Sequence, residues 1–230
     1  MAWSISFNLL ENATDSLDSA VDLLAYHNEL TEPTIHKRAI LAISHGIELI
    51  LKERLRRVHP ALVWENVDKY PNLDARTVGS ETAIKRLKNI GGVKFSYDDE
   101  TLLKSMRKTR NAIEHYAWSL SGDEAEVIVG ASLGFVAHFM KNELDYNWFG
   151  YAERESQMLS DLMSQNRAFA RSYTRREHHA KSEDQEEREK CGVCRAVIRH
   201  ADDGACPKCG HWNWFWSDSY GDAFDDDMPF

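Results

Sequence analysis

Apolar residues recur at helical spacing along most of the first 145 positions. Leu9, Leu10, Ala13, Leu17, Ala20, Val21 and Leu24 mark a first helix over about residues 6–29. Pro33 suits the opening turn of a second, which Ile35, Ala39, Ile40, Ala42, Ile43, Ile47, Ile50 and Leu51 carry to about Arg57. The two helices should form an antiparallel hairpin. Residues 59–79, with Pro60, Pro71, Asn72 and Gly79, predict an irregular connection. A short helix over Ser80 to Ile90 should stop at Gly91-Gly92. Ser96 then offers a cap, and Asp98, Asp99 and Glu100 put negative charge where a helix start favours it. The fourth helix is predicted from Asp98 to Leu120, with Leu102, Met106, Ile113, Ala117 and Leu120 as its apolar stripe and Gly122-Asp123 as its end.

A fifth helix, about Asp123 to Asp145, is apolar nearly all round from Val127 to Met140, which marks a helix buried on several sides. Gly130, Ala131, Ser132 and Gly134 would let another helix approach it closely. That run is too short to span a bilayer and carries His138. The chain then turns polar. Glu153 to Met163 keep helical spacing, whereas Arg171 to Lys190 mix charges with almost no apolar residues, the pattern of a solvated helix or linker. The expected organisation is a helical domain over 1–147, a charged helical linker over 148–190, a small module over 191–216 and an acidic tail over 217–230.

Charge limits what the protein can bind. A formal net charge of −9 argues against a generic polyanion binder, because nonspecific nucleic-acid affinity scales with the phosphates neutralised. No segment is basic: residues 191–230 hold 3 Lys/Arg against 7 Asp/Glu. Any contact with nucleic acid must be local. The N-terminus reads as no secretory signal, and with no membrane run the expected compartment is the cytoplasm.

Four cysteines in two C-x-x-C pairs, Cys191 with Cys194 and Cys206 with Cys209, place four thiolates for tetrahedral zinc. This looks like a zinc ribbon, a structural site with no open position for a catalytic water. A redox dithiol and a rubredoxin-like iron site are the competing readings. One metal explains a pair of pairs better than a dithiol does. Beyond it, Trp212, Trp214 and Trp216 would share one face of an extended strand. They either dock the ribbon and complete its core, or offer a stacking surface to bases or to a partner's groove.

Within the fourth helix, Arg110-Asn111-Ala112-Ile113-Glu114-His115 brings together an Arg fork that matches phosphate oxygens, an amide and an imidazole suited to proton transfer. At about 100° per residue, Asn111 and His115 fall one turn apart on one face, with Arg110 roughly 140° from His115. The plain alternative is a solvated Arg110–Glu114 pair beside two ordinary surface residues.

The run R-N-x-x-x-H in the fourth helix of an all-α chain resembles the HEPN superfamily, the higher eukaryote and prokaryote nucleotide-binding domains. The resemblance implies an HEPN-like antiparallel helical bundle, here with a small C-terminal zinc ribbon. It also implies a homodimer in which two motif helices face one another, and a metal-independent endoribonuclease of a toxin–antitoxin or antiviral defence system. Arg110, Asn111 and His115 would be the catalytic set, with RNA as substrate and an antitoxin or defence-complex protein as a further partner. His45 and Glu48, which interrupt the apolar second helix, either face the same cleft or lie on an exposed edge of the hairpin. Two other readings stand beside the nuclease: a non-catalytic HEPN scaffold that docks through its ribbon, and a nucleic-acid-binding regulator built on the ribbon, which the acidity of that segment disfavours.

Overall fold

A computed structural model describes residues 5–26, 32–150 and 153–188. These residues form seven α-helices: α1 (Leu9–Tyr26), α2 (Glu32–Val58), α3 (Ser80–Asn89), α4 (Tyr97–His115), α5 (Gly122–Glu143), α6 (Glu153–Gln165) and α7 (Arg167–Arg188). Among the described residues there is no strand, only an isolated bridge between Trp64 and Thr77. The protein is all-α there, as the hydrophobic spacing predicts. A first compact unit extends to Arg176. No described helix is long and apolar enough to cross a membrane.

The hairpin of α1 and α2 forms as expected, and its intimacy has a local cause. Any side chain at Gly46 would collide with Leu17, since a Cβ there would lie 2.6 Å from Leu17 Cγ. Glycine lets α1 settle directly onto α2. At the start of α1, Asn8 and Glu11 cap reciprocally: the Glu11 amide donates to Asn8 Oδ1 at 2.9 Å, and the Asn8 amide to Glu11 Oε2 at 2.8 Å. The connection over 59–79 is irregular as expected, with short 3₁₀ turns at Pro60–Val63 and Val67–Lys69. Gly92, at φ +70°, closes α3.

Helix α2, which packs against α1, α3, α4 and α5, is the hub of the bundle; in α5, most residues from Ala125 to Met140 are buried, on several sides, while Val127 is exposed. The close approach expected at its small residues is made by α7. A Cβ at Gly130 would lie 2.3 Å from the Phe169 amide nitrogen, and one at Gly134 would lie 2.3 Å from Ser172 Oγ. Asn166 caps α7 at this crossing, its Oδ1 accepting from the Phe169 amide at 2.7 Å. Gly130→Leu should therefore destabilise the protein by about 1–3 kcal/mol or more, because backbone rather than a flexible side-chain end stands in the way. Thermal melting checks this; an unchanged midpoint would mean that α7 does not pack here.

Two boundaries depart from the sequence reading. The fourth helix ends at His115, not Leu120: Tyr116 is extended at φ −139° and ψ 170°. The reason lies downstream. Ser121 and Glu124 form a reciprocal capping box that starts α5, and Trp118 and Leu120 pack against the core from the non-helical stretch before it. Ala117 is exposed, so it is no part of an apolar stripe. The buried contacts of α4 come from Leu103 and Met106. The second departure concerns the segment expected as a linker from 148. It is helical, but Trp148, Phe149, Met158, Leu162 and Phe169 belong to the hydrophobic core. Trp148 Nε1 donates to Asp18 of α1 at 2.8 Å, and Phe149 meets Phe169 and Tyr173 edge-on.

Ion pairs form at two buried carboxylates, one between helices and one within α2. Asp99, in the first turn of α4, accepts from Ser96 and from Arg176 of α7 at 2.6 Å; Arg176 also lies over the Phe135 ring. Glu53 is almost fully buried and holds both Arg56 and Arg57. Burial pushes each carboxyl up. Hydrogen bonds from Ser96 and Arg176, with the charge of Arg176, outweigh this at Asp99, and those from Arg56 and Arg57 do so at Glu53. Both groups therefore sit below the usual carboxylate range. A depressed folded-state value means that each contributes stability above its unfolded pKa, about 3.9 for Asp and 4.3 for Glu. That contribution is lost as the pH falls from there through the lower folded values. The urea midpoint should fall steeply below about pH 4, and Asp99→Asn with Glu53→Gln should lower stability at neutral pH while flattening that acid limb. An equally steep limb in the double variant would assign acid sensitivity to other groups.

Candidate functional site

The candidate residues occupy the last turn and a half of α4. Asn111 and His115 are exposed on one face, pointing away from the core as the spacing predicts. Arg110 is half-buried. Its Nε lies 3.0 Å from Glu114 Oε2, so its guanidinium is held beside the polar face by an i, i+4 ion pair. The helix places these groups at its C-terminal end rather than its centre. His115 is the final helical residue, and the extended, exposed Tyr116 follows it.

The opposite end of α4 is anchored by charge. Asp98 and Asp99 hold Arg175 and Arg176 of α7, Glu100 holds Lys88 of α3 at 2.5 Å, and Arg107 pairs with Glu81 of α3. The candidate end is thus carried on a helix fixed at its start and middle, with a free surface at its finish. Rigid support of this kind favours precise positioning of side chains.

His45 and Glu48 have other engagements. His45 is exposed and shares a hydrogen bond of 2.8 Å with Ser16 of α1. Glu48 accepts from Lys52 at 2.6 Å, and Lys52 reaches on to Thr77 Oγ1 at 2.9 Å. These contacts stitch the hairpin and the 59–79 connection together. Cys191, Cys194, Cys206, Cys209 and the three tryptophans lie outside the described residues. Within the described residues, no group of three or more His, Cys, Asp or Glu is placed to share a metal.

No family model, no curated protein and no solved structure matches this chain.

Chemically, the end of α4 offers an imidazole and an amide open to solvent, with a guanidinium within a side chain's swing. An imidazole exchanges protons near neutral pH. A guanidinium fork suits two phosphate oxygens. Glu114 competes for that fork, so an incoming phosphate must displace a carboxylate that is itself partly exposed and only loosely bound.

Proposed function

We propose that the protein is a metal-independent ribonuclease of the HEPN type, acting in a toxin–antitoxin or antiviral defence setting. The observation that carries the reading is the exposure of Asn111 and His115 on one face of α4, with Arg110 beside them. In this mechanism the RNA 2′-OH attacks the adjacent phosphorus and the 5′ oxygen leaves, giving a 2′,3′-cyclic phosphate and a 5′-hydroxyl end. His115 takes part in the proton transfers, Arg110 turns from Glu114 to the phosphorane oxygens, and Asn111 orients the phosphate or the imidazole. Two copies with their α4 helices facing would supply two such sets to one cleft. The four cysteines suit a structural zinc, which would hold the C-terminal module together and take no part in cleavage. The test is incubation of the purified full chain with RNA in EDTA-containing buffer, beside His115→Ala.

A second reading has the Arg110–Glu114 pair in its favour. If that pair is only a helix-surface ion pair, the helical bundle is a scaffold, and the acidic chain docks onto a protein partner rather than onto RNA. Failure of wild-type protein to cleave diverse RNAs would favour it.

A further inference from the structure

The exposed face of α4 carries more than the proposed catalytic end. Tyr97, Lys104, Lys108, Asn111 and His115 fall within an arc of about 60° at 100° per residue, and all five are exposed. Tyr97 is 84% exposed at the start of this stripe and Tyr116 is 78% exposed just past its end. Charge on the face is one-sided. Every acidic side chain of α4 is engaged: Asp98 by Arg175, Asp99 by Arg176, Glu100 by Lys88 and Glu114 by Arg110. Among the described residues no ion pair engages Lys104 or Lys108. The two rungs from α3, Glu81–Arg107 and Lys88–Glu100, run antiparallel to α4 and place Lys85, exposed and likewise unpaired, between them at the level of Lys104. In a chain of net charge −9, this is a local positive track bracketed by neutralised pairs.

We infer that a single strand of RNA lies along this face of α4, its phosphates on Lys85, Lys104 and Lys108, bases stacked on Tyr97 and Tyr116, and its scissile phosphate at the His115 end. The inference rests on the ribonuclease reading and gives it a substrate class. The rise from Lys104 to His115 is about 16 Å, enough for a few nucleotides. Tyrosines at both ends favour a strand with free bases over an acidic peptide, because base faces stack on aromatic rings whatever the sequence. In a dimer with α4 helices facing, the unbalanced lysines of both copies would line the cleft, which a polyanion relieves.

The experiment uses the full chain and a 2′-O-methylated single-stranded RNA, which cannot be cleaved by 2′-OH attack, with affinity followed by fluorescence anisotropy across a salt series. Log affinity against log salt changes by about 0.7 per phosphate contact in a single strand. Lys104→Gln with Lys108→Gln should therefore flatten the slope by about 1.4, Tyr97→Ala should weaken binding about tenfold or more, and Lys69→Gln, elsewhere on the surface, should change neither. No binding by wild type overturns the track, as does an unchanged slope in the double variant. Equal displacement of the strand by polyglutamate overturns it too, leaving a face that takes any polyanion. If wild type cleaves unmodified RNA and His115→Ala does not, while the lysine variants bind normally, the track falls and the ribonuclease stands. Lysine-dependent binding without cleavage of unmodified RNA keeps the track and removes the ribonuclease.

Discussion

His115→Ala should leave a fully folded protein that cleaves RNA about 10²–10⁴-fold more slowly, the usual contribution of a positioned acid–base group. The two halves of that result have separate causes. His115 is the last residue of α4 and exposed, so its removal takes nothing from the core, and surface changes of this kind shift stability by no more than about 0.5 kcal/mol. Arg110→Ala should lose a comparable factor in cleavage. It gives up only a part-exposed i, i+4 pair with Glu114, worth about 0.3–0.5 kcal/mol. Arg110→Lys makes the cause visible: it keeps a charge that can pair with Glu114 but has no planar fork, so it should recover stability without full activity. Cleavage rates measured in EDTA beside thermal melts decide the matter. If His115→Ala cuts as fast as wild type, the catalytic reading fails and the scaffold reading replaces it.

What was legible in the sequence follows from how each element is held. The hairpin and α3 were readable because their apolar residues recur at helical spacing and the segments have clear stops, such as Gly91-Gly92. The end of α4 was misread because Ala117 and Leu120 happen to continue the helical spacing. The local signal that decides the boundary is Ser121-Gly122-Asp123-Glu124, a capping box that starts α5 with Ser121 in extended backbone, so the preceding helix must already have ended. The spacing of Arg110, Asn111 and His115 was legible, since it depends only on helical geometry. Their place at the end of α4 was not, whereas the Arg110–Glu114 pair was readable from its i, i+4 spacing. The lysine track could have been found from the i, i+4, i+7 spacing of Lys104, Lys108 and Asn111. What hid it was the overall acidity of the chain, because only the structure shows which acidic neighbours are already engaged.

The region after residue 147 was the least legible, and it carries the largest expected effect on stability. A chain ending at residue 147 should fail to fold, whereas one ending at Arg188 should melt cooperatively. The charges of 148–190 disguise a segment whose apolar residues are few but deeply placed: Trp148, Phe149, Met158, Leu162 and Phe169 are all buried. At about 1.5–3 kcal/mol for each buried side chain, their loss removes an amount comparable to the whole stability of an ordinary domain, about 5–15 kcal/mol. The truncation also strips Arg176 from the buried Asp99, and breaking such a pair costs a further several kcal/mol because a charge is left without its partner. Helix α5 would then present Gly130 and Gly134 to water across the groove that α7 fills. The chain ending at Arg188 keeps every one of these contacts and lacks all four cysteines. It should bind no zinc, retain its helicity and retain any cleavage that depends on Arg110 and His115. Circular dichroism melts, zinc content and RNA cleavage on the two truncations separate the roles. A cooperative transition at the wild-type temperature in residues 1–147 would show that α6 and α7 are an appendage, and loss of cleavage with normal folding in residues 1–188 would draw the cysteine module into the active site.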